Sequence, residues 1–161
     1  MNKTILTIAI VGLLTLFTSA YYTAPADSRI GYKAPALVLG EDNNDLSPLQ
    51  QHMGEYLLLT FWTSADAQSR LDNMRYDRIS RQPGNAYAHV SVNLDRSTSV
   101  FNNIVNIDKL NRSAQFSTSQ DAHETIIKSW RLEDGYHSFL IDPAGRIVAI
   151  DPTAAQLAQV K

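Results

Sequence analysis

The sequence predicts an α/β domain with a mixed β-sheet flanked by helices, and three observations carry that prediction. The run Tyr-Leu-Leu-Leu-Thr-Phe-Trp at 56–62 is apolar almost throughout and rich in strand formers, as a strand covered on both faces must be. A polar, helix-length segment follows it, and then Ala88, Val90, Val92 and Leu94 alternate with His89, Ser91 and Asn93. Near the end, Ser-Phe-Leu-Ile at 138–141 and Arg-Ile-Val-Ala-Ile at 146–150 flank a tight-turn sequence. Strand, crossover helix and strand make a parallel unit, whereas a hairpin is antiparallel, so the sheet is mixed.

The chain has 161 residues, 44 % of them hydrophobic and 19 % charged, which fits one globular domain. Its formal net charge of −2 supplies no basic surface for a nucleic-acid backbone. Cysteine is absent altogether. Thiol catalysis, disulfide staples, thiolate zinc sites and cysteine-linked lipid are therefore excluded for this chain acting alone.

The elements follow in order. Lys3 precedes an uncharged stretch from Thr4 to Phe17, and Thr18-Ser19-Ala20 supplies small residues for a cleavage site. Residues 1–20 thus read as a secretory signal, or as a membrane tether if uncut. Residues 21–29, with Pro25 and Asp27, read as a flexible leader, and the domain runs over 30–161. Pro35 introduces a strand over Ala36 to Leu39. Ser47-Pro48 opens a short helix to about Met53, closed by Gly54. After the 56–62 strand, Asp66 to Arg81 forms a helix with Leu71, Met74 and Ile79 as its apolar positions. The alternating strand at 88–94 has one wetter face. Ser97 or Thr98 then caps a helix carrying Val100, Phe101, Ile104, Val105 and Ile107. Asp121 and Glu124 resemble a capping box ahead of Ala122, Ile126, Ile127 and Trp130 on one face. Asp142-Pro143-Ala144-Gly145 suits a type I turn in the hairpin, and 152–160 forms a short last helix.

Three segments together resemble the thioredoxin superfamily, nearest to its secreted, redoxin-like TlpA/ResA-type members. Ile-Gly-Tyr-Lys-Ala-Pro-Ala-Leu-Val-Leu at 30–39 is similar to their opening G-x-x-A-P-x-F-x-L. Leu-Leu-Leu-Thr-Phe-Trp-Thr-Ser-Ala-Asp-Ala-Gln-Ser-Arg at 57–70 resembles their V-N-F-W-A-S-W-C-x-P-C-R. Tyr-His-Ser-Phe-Leu-Ile-Asp-Pro-Ala-Gly-Arg-Ile-Val at 136–148 resembles P-T-T-F-L-I-D-x-x-G-x-I-V. The resemblance implies a thioredoxin-like fold over the domain and places Asp66 and Ser69 where the two redox cysteines would stand. It places Tyr136 at the family's cis-proline, where a non-proline residue favours an ordinary trans peptide. Neither a carboxylate nor a neutral hydroxyl undertakes thiol–disulfide exchange. The resemblance therefore implies a redox-inactive domain.

The replaced residues admit a structural and a functional reading. Asp66 serves as a helix-start carboxylate in Thr63-Ser64-Ala65-Asp66, or as an anionic contact or base beside Tyr136 and His137. Ser69 lacks a G-x-S-x-G setting, and its bland reading is helix surface. Trp62 and Tyr136 flank the groove that would hold a peptide, or pack inward. His52, His89, His123 and His137 show no metal-ligand spacing, and no Walker or dinucleotide fingerprint is present, so no cofactor or metal is expected. Arg70, Arg75, Arg78 and Arg81 read as a solvated face pairing with Asp72 and Asp77. The function expected is a cell-envelope binding or accessory module that grips an envelope protein or extended peptide by strand addition at the loop before Ser138. It would have no nucleic-acid partner and would meet a membrane only through an uncut first segment. The alternative is a thiol–disulfide or peroxide reductase relative that works with a partner's cysteines.

Overall fold

The computed structural model describes residues 28–40 and 47–161; residues 1–27, read above as a signal and leader, lie outside the described residues. The elements are α1 (Pro48–Gln51), β1 (Tyr56–Trp62), α2 (Ala67–Ser80), β2 (Tyr87–Asn93) and α3 (Thr98–Ile107). There follow β3 (Gln115–Ser117), α4 (Gln120–Ser129), β4 (Ser138–Ile141), β5 (Ile147–Ile150) and α5 (Ala154–Leu157). The sheet order is β3-β2-β1-β4-β5. β1 and β3 pair with β2 in parallel, while β4 pairs antiparallel with both β1 and β5. The mixed sheet is as the sequence predicts.

Strand alternation divides the core. Leu57, Leu59 and Phe61 face the layer that holds Ala122, Ile126 and Trp130, where Phe61, Trp130 and Phe139 meet edge to face or tilted. Leu58 and Trp62 face the other layer. Leu58 joins Tyr87, Leu140 and Leu157, and Trp62 joins Phe101, Val105 and Leu110 with Met74 against them.

Between α2 and the sheet lies a polar seam, and here the sequence reading needs correction. Leu71 is 59 % exposed, and α2 instead buries Ser69, Asn73 and Asp77, spaced four apart on one face. Opposite stand His89, Ser91 and Asn93, all buried, so the face of β2 expected to be wetter is dry. Most of these groups are paired, His89 Nδ1 being the exception. Ser91 Oγ donates to Asn73 Oδ1 at 2.7 Å and Asn73 Nδ2 donates to Gln115 Oε1 at 3.1 Å. Asp77 is not on a solvated face either: its carboxylate accepts from Arg81 at 2.7 Å and from the Asn111 N–H at 2.9 Å. Arg70 reaches across to Asp108 of α3, with two bonds of 2.6 Å.

Three smaller expectations also change. Ala36 to Leu39 forms no strand; the preceding residues pair with β5 around the bridge of Lys33 to Arg146, with Gly31 N–H donating to the Ile147 carbonyl at 2.8 Å, and Leu37 then packs into the core. The cap of α4 is Ser119, which accepts from the Ala122 N–H, so Asp121 lies in the first turn and not at the cap. β3 was not legible as a strand, being three residues long. The hairpin turn is as expected, with the Gly145 N–H donating to the Asp142 carbonyl at 2.9 Å.

Candidate functional site

β1, β2 and β5 run in the same direction, so their carboxyl ends share one edge of the sheet with the start of β4. Open α/β sheets place ligands outside that edge. The tip of α2 emerges there from β1, and Asp66 is its N-cap, with its carboxylate accepting from the N–H groups of Gln68 (3.0 Å) and Ser69 (3.4 Å). A capping box over Thr63-Ser64-Ala65-Asp66 would put the cap three residues earlier, at Thr63. Thr63 Oγ1 does accept from the Asp66 N–H at 3.2 Å, but the helix starts after Asp66. The preceding loop is tied down by Asp95, whose two carboxylate oxygens accept from the Ser64 N–H at 3.0 and 3.1 Å.

Ser69 Oγ donates to the Asp66 carbonyl at 3.2 Å and accepts from the Thr63 N–H at 3.4 Å, so the hydroxyl is engaged within the turn. The Ser69 hydroxyl, then the Gln68 N–H, hold the Asp66 carboxyl below the usual carboxylate range, and His137 adds a smaller electrostatic contribution. A carboxylate so stabilised is a weak base near neutral pH. No hydrogen bond joins Asp66 to His137 among the described residues. His137 is exposed, and its main chain is held from both sides: its N–H donates to Asp151 at 3.0 Å and its carbonyl accepts from the Phe61 N–H at 2.8 Å.

The structure brings the five expected site residues together around one surface. Asp66, Ser69 and His137 line two adjoining clefts. One, of about 340 Å³, lies between α2 and the β1/β4/β5 edge and is completed by Thr60, Tyr76 and Asp151. The other, of about 350 Å³, runs beneath Tyr136 and is walled by Leu94, Ile127 and Leu132. Tyr136 is half-buried, its ring 6.4 Å from that of Phe139 and 5.5 Å below the Arg131 guanidinium. No described peptide bond is cis, so Tyr136 follows an ordinary trans peptide. Trp62 also borders the second cleft, but it is 1 % exposed and its ring packs on Phe101, so most of it belongs to the core. His52, His89 and His123 lie elsewhere, and among the described residues no three His, Asp or Glu side chains are grouped to hold a metal.

Asp95 and Asp151 were missed. Asp151 directly follows β5 and Asp95 lies two residues beyond the end of β2, both strands ending at this edge, and that position in the chain is the signal that would have singled them out.

No protein-family model matches the chain, and no curated protein matches it. Solved structures do. A thioredoxin-like protein from Parabacteroides distasonis is 29 % identical, with a TM-score of 0.68 over 84 % of this chain and 96 % of its own. The thioredoxin domain of a thiol-disulfide oxidoreductase from Bacteroides vulgatus is 22 % identical (TM-score 0.65, 80 % and 92 % covered). A thiol:disulfide interchange protein from a Bacteroides species is 24 % identical (TM-score 0.63, 80 % and 85 % covered). The chain therefore has a thioredoxin-like fold. It is similar to proteins of thiol–disulfide exchange while containing no cysteine, so it has no thiol of its own with which to carry out that exchange.

Proposed function

We propose that this chain is a redox-inactive thioredoxin-fold domain of the cell envelope that holds an extended segment of another protein across the α2 tip. The observation that carries this reading is main-chain. The Gly135 carbonyl and the N–H and carbonyl of Tyr136 have no hydrogen-bond partner among the described residues, and they sit beside the apolar wall of the second cleft. Unpaired main-chain groups next to an apolar trough are what a partner strand can pair with. The polar groups that a catalyst would need free, the Asp66 carboxylate and the Ser69 hydroxyl, are engaged by the helix start. Envelope placement is supported by the signal-like pattern of residues 1–20.

The two clefts also bias the partner. Asp66, Asp72, Asp151 and Glu133 line them, and no Lys or Arg does among the described residues. A segment carrying a basic side chain complements that surface, with an affinity that falls as salt rises.

Selection of binders from a displayed random-peptide library, followed by amide chemical-shift mapping on the purified domain, tests the reading. Enriched peptides rich in Lys or Arg that shift Gln68, Ser69, Tyr136 and His137 support it. Failure to enrich any peptide, or shifts confined to another face, would overturn it. A parallel insulin-reduction assay in dithiothreitol should show no turnover above buffer. Turnover there would favour the reductase alternative.

A further inference from the structure

The residue that sets the free loop is not in it. Asp151 follows β5 with φ at +45°, a left-handed conformation that costs a side-chain-bearing residue and suits glycine better. What the aspartate provides in return is one carboxylate oxygen with three donors on it. Asp151 Oδ1 accepts from the N–H of His137 at 3.0 Å, from the N–H of Ser138 at 2.8 Å and from Ser138 Oγ at 3.0 Å. Its own N–H donates back to the Ser138 carbonyl at 2.8 Å. On the opposite side, the His137 carbonyl accepts from Phe61 of β1 at 2.8 Å. His137 and Ser138 are thereby spent on the protein itself. The groups left to an outside strand are the Gly135 carbonyl and the two main-chain groups of Tyr136.

We infer that Asp151 is the positioning residue of this groove: it holds the 135–138 loop so that main-chain pairing with a partner is confined to a single bridge centred on Tyr136. A glycine would relieve the backbone at this position but leave two loop N–H groups without an acceptor. The aspartate retained there is thus explained by its carboxylate and not by its conformation. The inference rests on the peptide-binding reading for its consequence, but the clamp itself can be measured without any ligand.

The test compares the unaltered domain with Asp151→Gly and Asp151→Asn. Residue-resolved amide exchange is read at His137 and Ser138, with β1 as internal reference. Affinity is read for a peptide enriched in the library selection. With Asp151→Gly, both amides should exchange about tenfold faster while β1 is unchanged, and peptide affinity should fall by about tenfold, because the three charge-assisted hydrogen bonds that hold the loop are lost. Asp151→Asn keeps a neutral acceptor of the same shape, and it should restore most of both effects. Unchanged exchange at His137 and Ser138 in the glycine variant would overturn the clamp. Faster exchange with unaltered peptide affinity would overturn its role in binding. Should Asp151→Gly fail to fold, Asp151→Asn decides the point with a smaller rise, and no rise at either amide refutes the inference. If no peptide binds the unaltered domain, the binding reading fails, while the exchange data still judge the clamp.

Discussion

His89 makes the most demanding prediction. It sits on interior strand β2 at 5 % exposure, with Nε2 3.0 Å from Thr60 Oγ1, Nδ1 facing no partner and the Tyr76 ring centred 6.3 Å away. Burial penalises the charged imidazolium and pushes the pKa from 6.5 down to about 3. An unfolded chain takes up that proton near pH 6.5, whereas the folded one refuses it. Below pH 6.5 the unfolded state therefore binds more protons, and stability is lost as pH falls from there towards 3. At ~1.4 kcal/mol for each pH unit below 6.5, the loss reaches ~2 kcal/mol at pH 5. Urea unfolding at pH 7, 6 and 5, run beside His89→Gln, isolates this contribution. The glutamine can still meet Thr60 but does not titrate, and carboxylate effects common to both proteins cancel in the difference. The stability gap between the two proteins should shift against the unaltered protein by ~2 kcal/mol between pH 7 and 5. A gap constant within ~0.5 kcal/mol would mean that the imidazole is charged or hydrated inside the fold, and the argument from burial would be wrong.

Three further outcomes are expected. Asn73→Ala strands Ser91 and Gln115 without a partner and should cost ~1–3 kcal/mol in urea unfolding, while Leu71→Ala on the outer face of the same helix changes stability by ~0.5 kcal/mol or less. Phe139→Ala removes the ring on which Phe61, Trp130 and Tyr136 all rest, and should cost ~3–5 kcal/mol by the same assay. Asp66→Cys with Ser69→Cys should give measurable but partial insulin reduction, with a gain on adding Tyr136→Pro. Absence of exchange in both variants would show that the α2 tip does not present side chains as an exchanging pair needs.

The sheet was legible because its signals are local. The apolar run of β1 and the alternation of β2 each declare a strand, and Asp142 to Gly145 declares the turn between β4 and β5. The juxtaposition of Asp66 with Tyr136 and His137 was legible only through the resemblance, since the two segments lie far apart in the chain. What stayed hidden was any polar group whose partner is distant. Asn73, Ser91 and Gln115 each look like surface residues, and only their mutual contact makes burial affordable. Asp151 was hidden for the same reason: nothing next to it in the chain announces three donors waiting at His137 and Ser138. Trp62 misled in the other direction, because an aromatic at a strand end fits a groove or a core equally well until the neighbouring helix is placed.

The seam under α2 has a consequence for how the surface above it is held. An oily helix face can roll or slide on a sheet at little cost, but one keyed by amide and hydroxyl contacts has a single seat. A rotation by one residue would part Asn73 from both Ser91 and Gln115 at once. The orientation of the tip is therefore set in large part by residues well below it.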